Sequence, residues 1–203
     1  MAHSWIFIIL ELLEHILHFL AIDKSLYPTL YISQLWYRCG APILWKRVEL
    51  NGNGSRSRLK KFIKLVCRKQ KPVYSSNLTH LKISYYDPLL DKKINDIVRL
   101  FPNIIYLDFD NSIGFSDKAL NQIAESYPNL KYLNLRKNKY IRYHGIITDK
   151  GLCAIARSCH KLEYLNISHY TVITNITIEE IASSCLNLKY LDLEDVIKLA
   201  KKP

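Results

Sequence analysis

Five runs along the chain carry the same alternation of apolar and polar positions. They read NLTHLKI from Asn77, NIIYLDF from Asn103, NLKYLNL from Asn129, KLEYLNI from Lys161 and NLKYLDL from Asn187. Successive runs start 26, 26, 32 and 26 residues apart. A two-residue period predicts strands with one buried face. Between the strands the period lengthens. Asp91, Asp117, Asp149 and Asn175 share one slot, where a short side chain that accepts backbone N–H bonds predicts a helix cap. Apolar residues follow three and six positions later: Ile94 and Ile97, Leu120 and Ile123, Leu152 and Ile155, Ile178 and Ile181. Val98, Ala124, Ala156 and Ala182 continue the same stripe, which predicts one buried helical face per unit.

A strand and a helix repeated every 20–29 residues with an L-x-x-L-x-L strand is the pattern of a leucine-rich solenoid. The expected fold is therefore α/β, with parallel strands on the concave side and helices on the convex side. The six extra residues of the third unit fall between strand and helix, within residues 136–149, where a loop absorbs them. "WKRVEL" also fits the strand template, with Trp45, Val48 and Leu50 in the leucine slots. Residues 51–75 then read as a junction: a turn at "NGNGS", followed by an amphipathic helix with Leu59, Phe62, Ile63 and Val66 on one face. Residues 76–203 hold the repeats. After the last strand, "EDVIKLAKKP" is too short for a further helix and cap, as in a shortened array.

Residues 1–50 follow another pattern. Leu12, Leu13, Ile16, Leu17, Phe19 and Leu20 form a wide apolar stripe on a short helix. Asp23 or Ser25 is placed to cap a second helix, with Pro28 in its first turn. "ISQLWYRCGAPILWKRVEL" is rich in bulky apolar residues and is expected to break at Gly40 and Pro42. Glu11, Glu14, His15 and His18 interrupt the apolar run, and no basic leader or small-residue cleavage site accompanies it. Neither a signal peptide nor a membrane span is expected.

Composition narrows the chemistry. Five cysteines, Cys39, Cys67, Cys153, Cys159 and Cys185, include no C-x-x-C pair, so free thiols in a reducing compartment are expected. There is no Gly-rich phosphate loop, no G-x-S-x-G elbow and no HExxH, and "EHILH" lacks the i, i+4 histidines of a zinc site. No enzyme, cofactor or metal is expected. The formal net charge is +11, and residues 51–102 supply most of it, with twelve basic and three acidic side chains. Lys60, Lys61, Lys64, Arg68 and Lys69 surround the junction helix and read as a solvated outer face. Without stacking aromatics or a recognition motif, nucleic acid is not an expected partner.

The residues flanking the strand leucines should line the concave face in three columns. The first is His80, Tyr106, Tyr132, Tyr164 and Tyr190. The second is Lys82, Asp108, Asn134, Asn166 and Asp192, and the third Ser84, Asp110, Arg136, Ser168 and Glu194. Concave solenoid faces bind partners, so Tyr106, Asp108, Tyr132, Asn134, Arg136, Tyr164, Asn166, Tyr190, Asp192 and Glu194 are the candidate target contacts. Acidic residues gather toward the Tyr164–Tyr190 end, which favours a basic or neutral segment there.

The wording of one unit, "ITDKGLCAIARSCHKLEYLNIS" (Ile147–Ser168), resembles the cysteine-containing leucine-rich repeats of F-box proteins. In that family the cysteine near the helix end is a small buried filler. Here Cys159 and Cys185 hold the slot, with Phe101 and Tyr127 in the earlier units. "ELLEHIL", "ISQLWYRC" and "PILWKRV" resemble an F-box, which implies helical docking to a Skp-type adaptor and, through it, a cullin scaffold. Where the family opens with Leu-Pro, this chain has Ile8-Ile9. The adaptor contacts implied are Ile8, Ile9, Leu12, Leu13, Ile16, Leu17, Leu20 and Trp36. The resemblance implies a substrate receptor of an SCF-type ubiquitin ligase, cytoplasmic or nuclear. A leucine-rich scaffold without a ubiquitin role is the alternative.

Overall fold

A computed structural model of the 203-residue chain describes residues 2–53, 57–66, 74–138 and 147–196, with side chains from residue 11 onward except at 65 and 66. The side chain of Val66, Cys67, the basic residues Arg68 and Lys69, most of the inserted loop and residues 197–203 lie outside the described residues. Among the described residues there are a short helical module and a six-stranded parallel sheet backed by helices.

The module consists of α1 (Ala2–Ile22), α2 (Leu26–Thr29) and α3 (Gln34–Trp45). Its core is Leu13, Leu17, Leu26, Leu30 and Ala41. Leu13 and Leu17 are one turn apart and so share a face of α1. Ser33 starts α3 by accepting the Trp36 N–H. The expected break at Gly40 and Pro42 does not occur, because α3 runs through both. Gly40 marks a close approach instead: a Cβ there would lie 2.4 Å from Leu30 Cδ2 and 3.5 Å from Leu17 Cδ2. Burial of Ala41 and partial burial of Ile43 and Leu44 offset the backbone bond that Pro42 forgoes.

No linker separates module from sheet. Strand β1 (Arg47–Asn51) follows α3 after one residue and pairs with β2 (His80–Ser84), Val48 beside Leu81 and Leu50 beside Ile83. The remaining strands are β3 (Tyr106–Asp108), β4 (Tyr132–Asn134), β5 (Tyr164–Asn166) and β6 (Tyr190–Asp192), stacked in chain order. The Lys46 carbonyl accepts the Thr79 and His80 N–H groups, and Thr79, Ile105, Lys131 and Glu163 repeat that rung up the sheet. Each unit is therefore seated on the one before it by the same backbone bonds.

Helices α4 (Ser57–Val66), α5 (Asp91–Leu100), α6 (Asp117–Ser126), α7 (Asp149–Ser158) and α8 (Asn175–Ser184) cover the leucine side. Ile94, Ile97, Leu120, Ile123, Leu152, Ile155 and Ile181 are buried, as are Leu59 and the leucines of β2 to β5, while Leu50 of β1 and Leu191 of β6 are half-buried. The last unit departs from the pattern. Ile178 is half-buried and Ala182 exposed, because among the described residues no further helix packs on α8. Cys159 and Cys185 are buried, and burial pushes the Cys159 thiol up to about 12. A thiol so raised is a packing group at neutral pH.

The helix-start acids do not cap their own helices. The caps are Ser116, Thr148 and Thr174, one position earlier. Each acid reaches forward to the next unit's cap. Asp91 accepts the Ser116 N–H at 2.7 Å, Asp117 the Thr148 N–H at 2.9 Å and Asp149 the Thr174 N–H at 2.9 Å. Each also accepts that cap's hydroxyl. Gly151 leaves room for this: a Cβ there would sit 2.4 Å from Asp117 Oδ1. Burial raises the Asp149 carboxyl, but bonds from the Thr177 hydroxyl and from Thr174 outweigh it and hold the group below its ordinary value.

Asp149→Ala is expected to lower stability by about 1–3 kcal/mol at neutral pH. A carboxyl whose folded value lies below its unfolded one stabilises above the unfolded value, and that stabilisation fades as pH falls through the folded value. The ionisation-dependent part of the gap should therefore shrink below about pH 4. Urea unfolding midpoints at pH 7 and pH 3 measure it.

Candidate functional site

The face of the sheet opposite the helices is built by the alternation of the strands. Leucines at one parity enter the core, which leaves the other parity on the open side. Strand register aligns the first column: His80 pairs with Tyr106, Tyr106 with Tyr132, Tyr132 with Tyr164 and Tyr164 with Tyr190. The rings stack continuously, with centroids 5.3, 3.9, 4.1 and 4.6 Å apart and interplanar angles of 23°, 12°, 10° and 3°. Their flat faces cover one another, so edges and hydroxyls are what the surface offers. Burial, then hydrogen bonding with the Tyr106 hydroxyl, pushes the Tyr132 phenol far above its ordinary value. It stays neutral and hydrogen-bonding at any physiological pH.

The second column is different from what the sequence suggests. Asp108, Asn134 and Asn166 are buried, and their side chains tie the open edge of the sheet together. Asp108 pairs with Lys82 at 2.9 Å and accepts the Asn134 side-chain N–H at 3.1 Å. Asn166 donates to Asp192 at 3.0 Å. Asp108, Asn134, Asn166 and Asp192 also accept the backbone N–H two residues on, from Asp110, Arg136, Ser168 and Glu194 in turn. A buried carboxylate and two buried amides so engaged are a structural ladder, and they leave the set of target contacts. Bonding to Asp108 raises the Lys82 ammonium above its usual value.

In the third column Ser84 and Ser168 are buried, while Arg136 and Glu194 are exposed and Asp110 half-buried. The following position turns left-handed in four units, with φ of 60° at Tyr85, 54° at Asn111, 70° at His169 and 56° at Asp195. That turn takes the chain from strand toward helix, and only Asn111 and Asp195 hint at it by residue type. Of the candidate target contacts, the tyrosine column, Arg136, Asp192 and Glu194 therefore remain available on the open face.

The adaptor-contact residues divide in two. Leu13 and Leu17 are core of the helical module and cannot meet a partner, while Leu20 and Trp36 pack half-buried against that core. The side chains of Ile8 and Ile9 lie outside the described residues. Leu12 and Ile16 face outward, 60% and 41% exposed, and Phe19 continues their row at 70%. Tyr27 on α2, Tyr31 and Ile32 in the turn that follows it, and Leu35 on α3 are also exposed. Sequence does not single out Tyr27 and Tyr31, because helix α2 is too short to show a period.

Among the described residues no cluster of His, Cys, Asp or Glu is placed to hold a metal ion, and no helix is long and apolar enough to cross a membrane. No family model and no curated protein matches the chain. Among solved structures the chain is similar to the tropomodulin C-terminal domain of Caenorhabditis elegans. The match has a TM-score of 0.43 and 12% identity, over 70% of this chain and 85% of that one.

Proposed function

We propose that the chain is the non-catalytic substrate-recognition subunit of an SCF-type ubiquitin ligase. Its helical module is an F-box that docks a Skp-type adaptor, and the open sheet face holds the target protein. One observation carries this reading. After the three helices have closed their own core, Leu12, Ile16 and Phe19 remain in one exposed row at i, i+4 and i+7 of α1. An unburied apolar row on a finished module is the mark of an interface. The resemblance of residues 8–48 to an F-box gives that interface its partner, and the direct step from α3 into β1 gives it a purpose. A target on the open face is held at a set distance from whatever the module binds, which is the proximity a ligase needs.

The test uses the exposed row and leaves the core alone. Leu12→Asp with Ile16→Asp is expected to abolish co-purification of a Skp adaptor and its cullin from cell extract, with an unchanged unfolding midpoint. Undiminished capture by this folded variant would overturn the F-box reading.

A further inference from the structure

A cleft of about 720 Å³ opens where the helical module meets the first two strands. Its apolar floor is Ala21, Ile43 and Leu44, half-buried, with Ile22 exposed at its edge, and its rim carries Lys24, Lys46 and Arg47. His18 and His80 face it from α1 and β2. The acid on the rim is Glu49, which Arg47 holds at 2.7 Å. Among the described residues Lys24 and Lys46 make no ion pair, so the rim keeps an uncompensated positive charge. The His80 imidazole responds to it: burial, then Arg47 and Lys46, hold it below its ordinary value.

We propose that this cleft binds an anionic side chain, a carboxylate or a phosphoester, on an extended peptide whose apolar neighbours rest on the floor and whose chain continues along the tyrosine column. This rests on the reading of the open face as the target surface. Continuity supports it, since the His80 ring stacks on Tyr106 at 5.3 Å and so joins the cleft to the column. Charge sets the direction. The cationic rim lies at the β1–β2 end, and Asp192 and Glu194 lie at the β6 end, so a peptide with its anionic residue in the cleft and a basic one toward β6 matches both. A nucleic acid fits poorly, because bases need open ring faces to stack on and these rings cover one another.

The experiment measures binding of a labelled hexapeptide, glycine-leucine-X-tyrosine-leucine-glycine, to the full chain by fluorescence polarisation, with X as phosphoserine, glutamate, glutamine or lysine. The phosphoserine or glutamate peptide is expected to bind at least about tenfold more tightly than the glutamine peptide, and the lysine peptide more weakly still. If phosphoserine exceeds glutamate the natural anion is a phosphoester, and parity points to a carboxylate. Lys46→Glu with Arg47→Glu should erase the preference. If that variant does not fold, NMR titration of the native chain decides, since a seated anion must raise the His80 pKa and an anion bound elsewhere leaves it unmoved. Equal binding of all four peptides, or capture by phosphatidylserine vesicles without peptide preference, overturns the proposal. No adaptor is present in the assay, so its failure is separate from failure of the F-box reading.

Discussion

Ile155→Ala is expected to lower the folding free energy by about 2–5 kcal/mol, the range for large-to-small changes in a closed core. Ile155 is 1% exposed on α7. Helices α6 and α8 pack on either side of it, so neither flank is free to collapse into the void. A solenoid's stability is a sum of unit and neighbour terms, and an interior unit loses both of its interfaces at once. Ile178→Ala is the internal comparison. It holds on α8 the slot that Leu152 holds on α7, one turn before the equivalent of Ile155, is half-buried, and should lose less than half as much. Urea unfolding of the two variants measures the difference. A loss below about 1 kcal/mol at Ile155 would show the helical register to be wrong.

Lys82→Met is expected to cost about 3 kcal/mol, the low end for removing one partner of a buried ion pair, because the Lys82 amine is itself partly in water. What remains is the hazard: the Asp108 carboxylate, 1% exposed, keeps only neutral donors from Asn134 and Asp110. Adding Asp108→Asn removes the orphaned charge and retains an acceptor for the Asp110 N–H. The double variant should therefore be more stable than Lys82→Met alone. Thermal unfolding of the single and double variants checks this, and additive losses would mean that the pair is not coupled in the folded chain.

Much of this arrangement was legible from local pattern. The five strands lie where the alternation put them, and the helices where the three-and-four spacing did, because each unit buries its leucines in the same way and must repeat the same lettering. The column of Tyr106, Tyr132, Tyr164 and Tyr190 followed from their equal offset within each strand run, whatever the length of the loop between runs: once units stack, equal offsets become neighbours at strand separation. The burial of Cys159 and Cys185 was implied by the resemblance of their unit to cysteine-containing repeats, not by pattern or spacing.

Alternation assigns a side of the sheet but not a depth on it. Asp108, Asn134 and Asn166 stand on the open parity with the tyrosines, yet they are buried because each can bond to its neighbour and to the backbone two residues on. Only the stacked chain brings those partners together. The same holds for Asp91, Asp117 and Asp149, whose spacing marks a helix start but whose acceptors are used by the following unit. On α1 the apolar residues run too widely for sequence to say which half is buried. Packing of α1 against α3 settled it, taking Leu13 and Leu17 inward and leaving Leu12, Ile16 and Phe19 out. Sequence by itself thus determined the period and the strands and helices of the repeats, which depend on residues within one unit. Tertiary structure decided which polar groups are buried, which apolar groups are free, and that a cationic cleft exists at Lys46, because those properties belong to contacts between units.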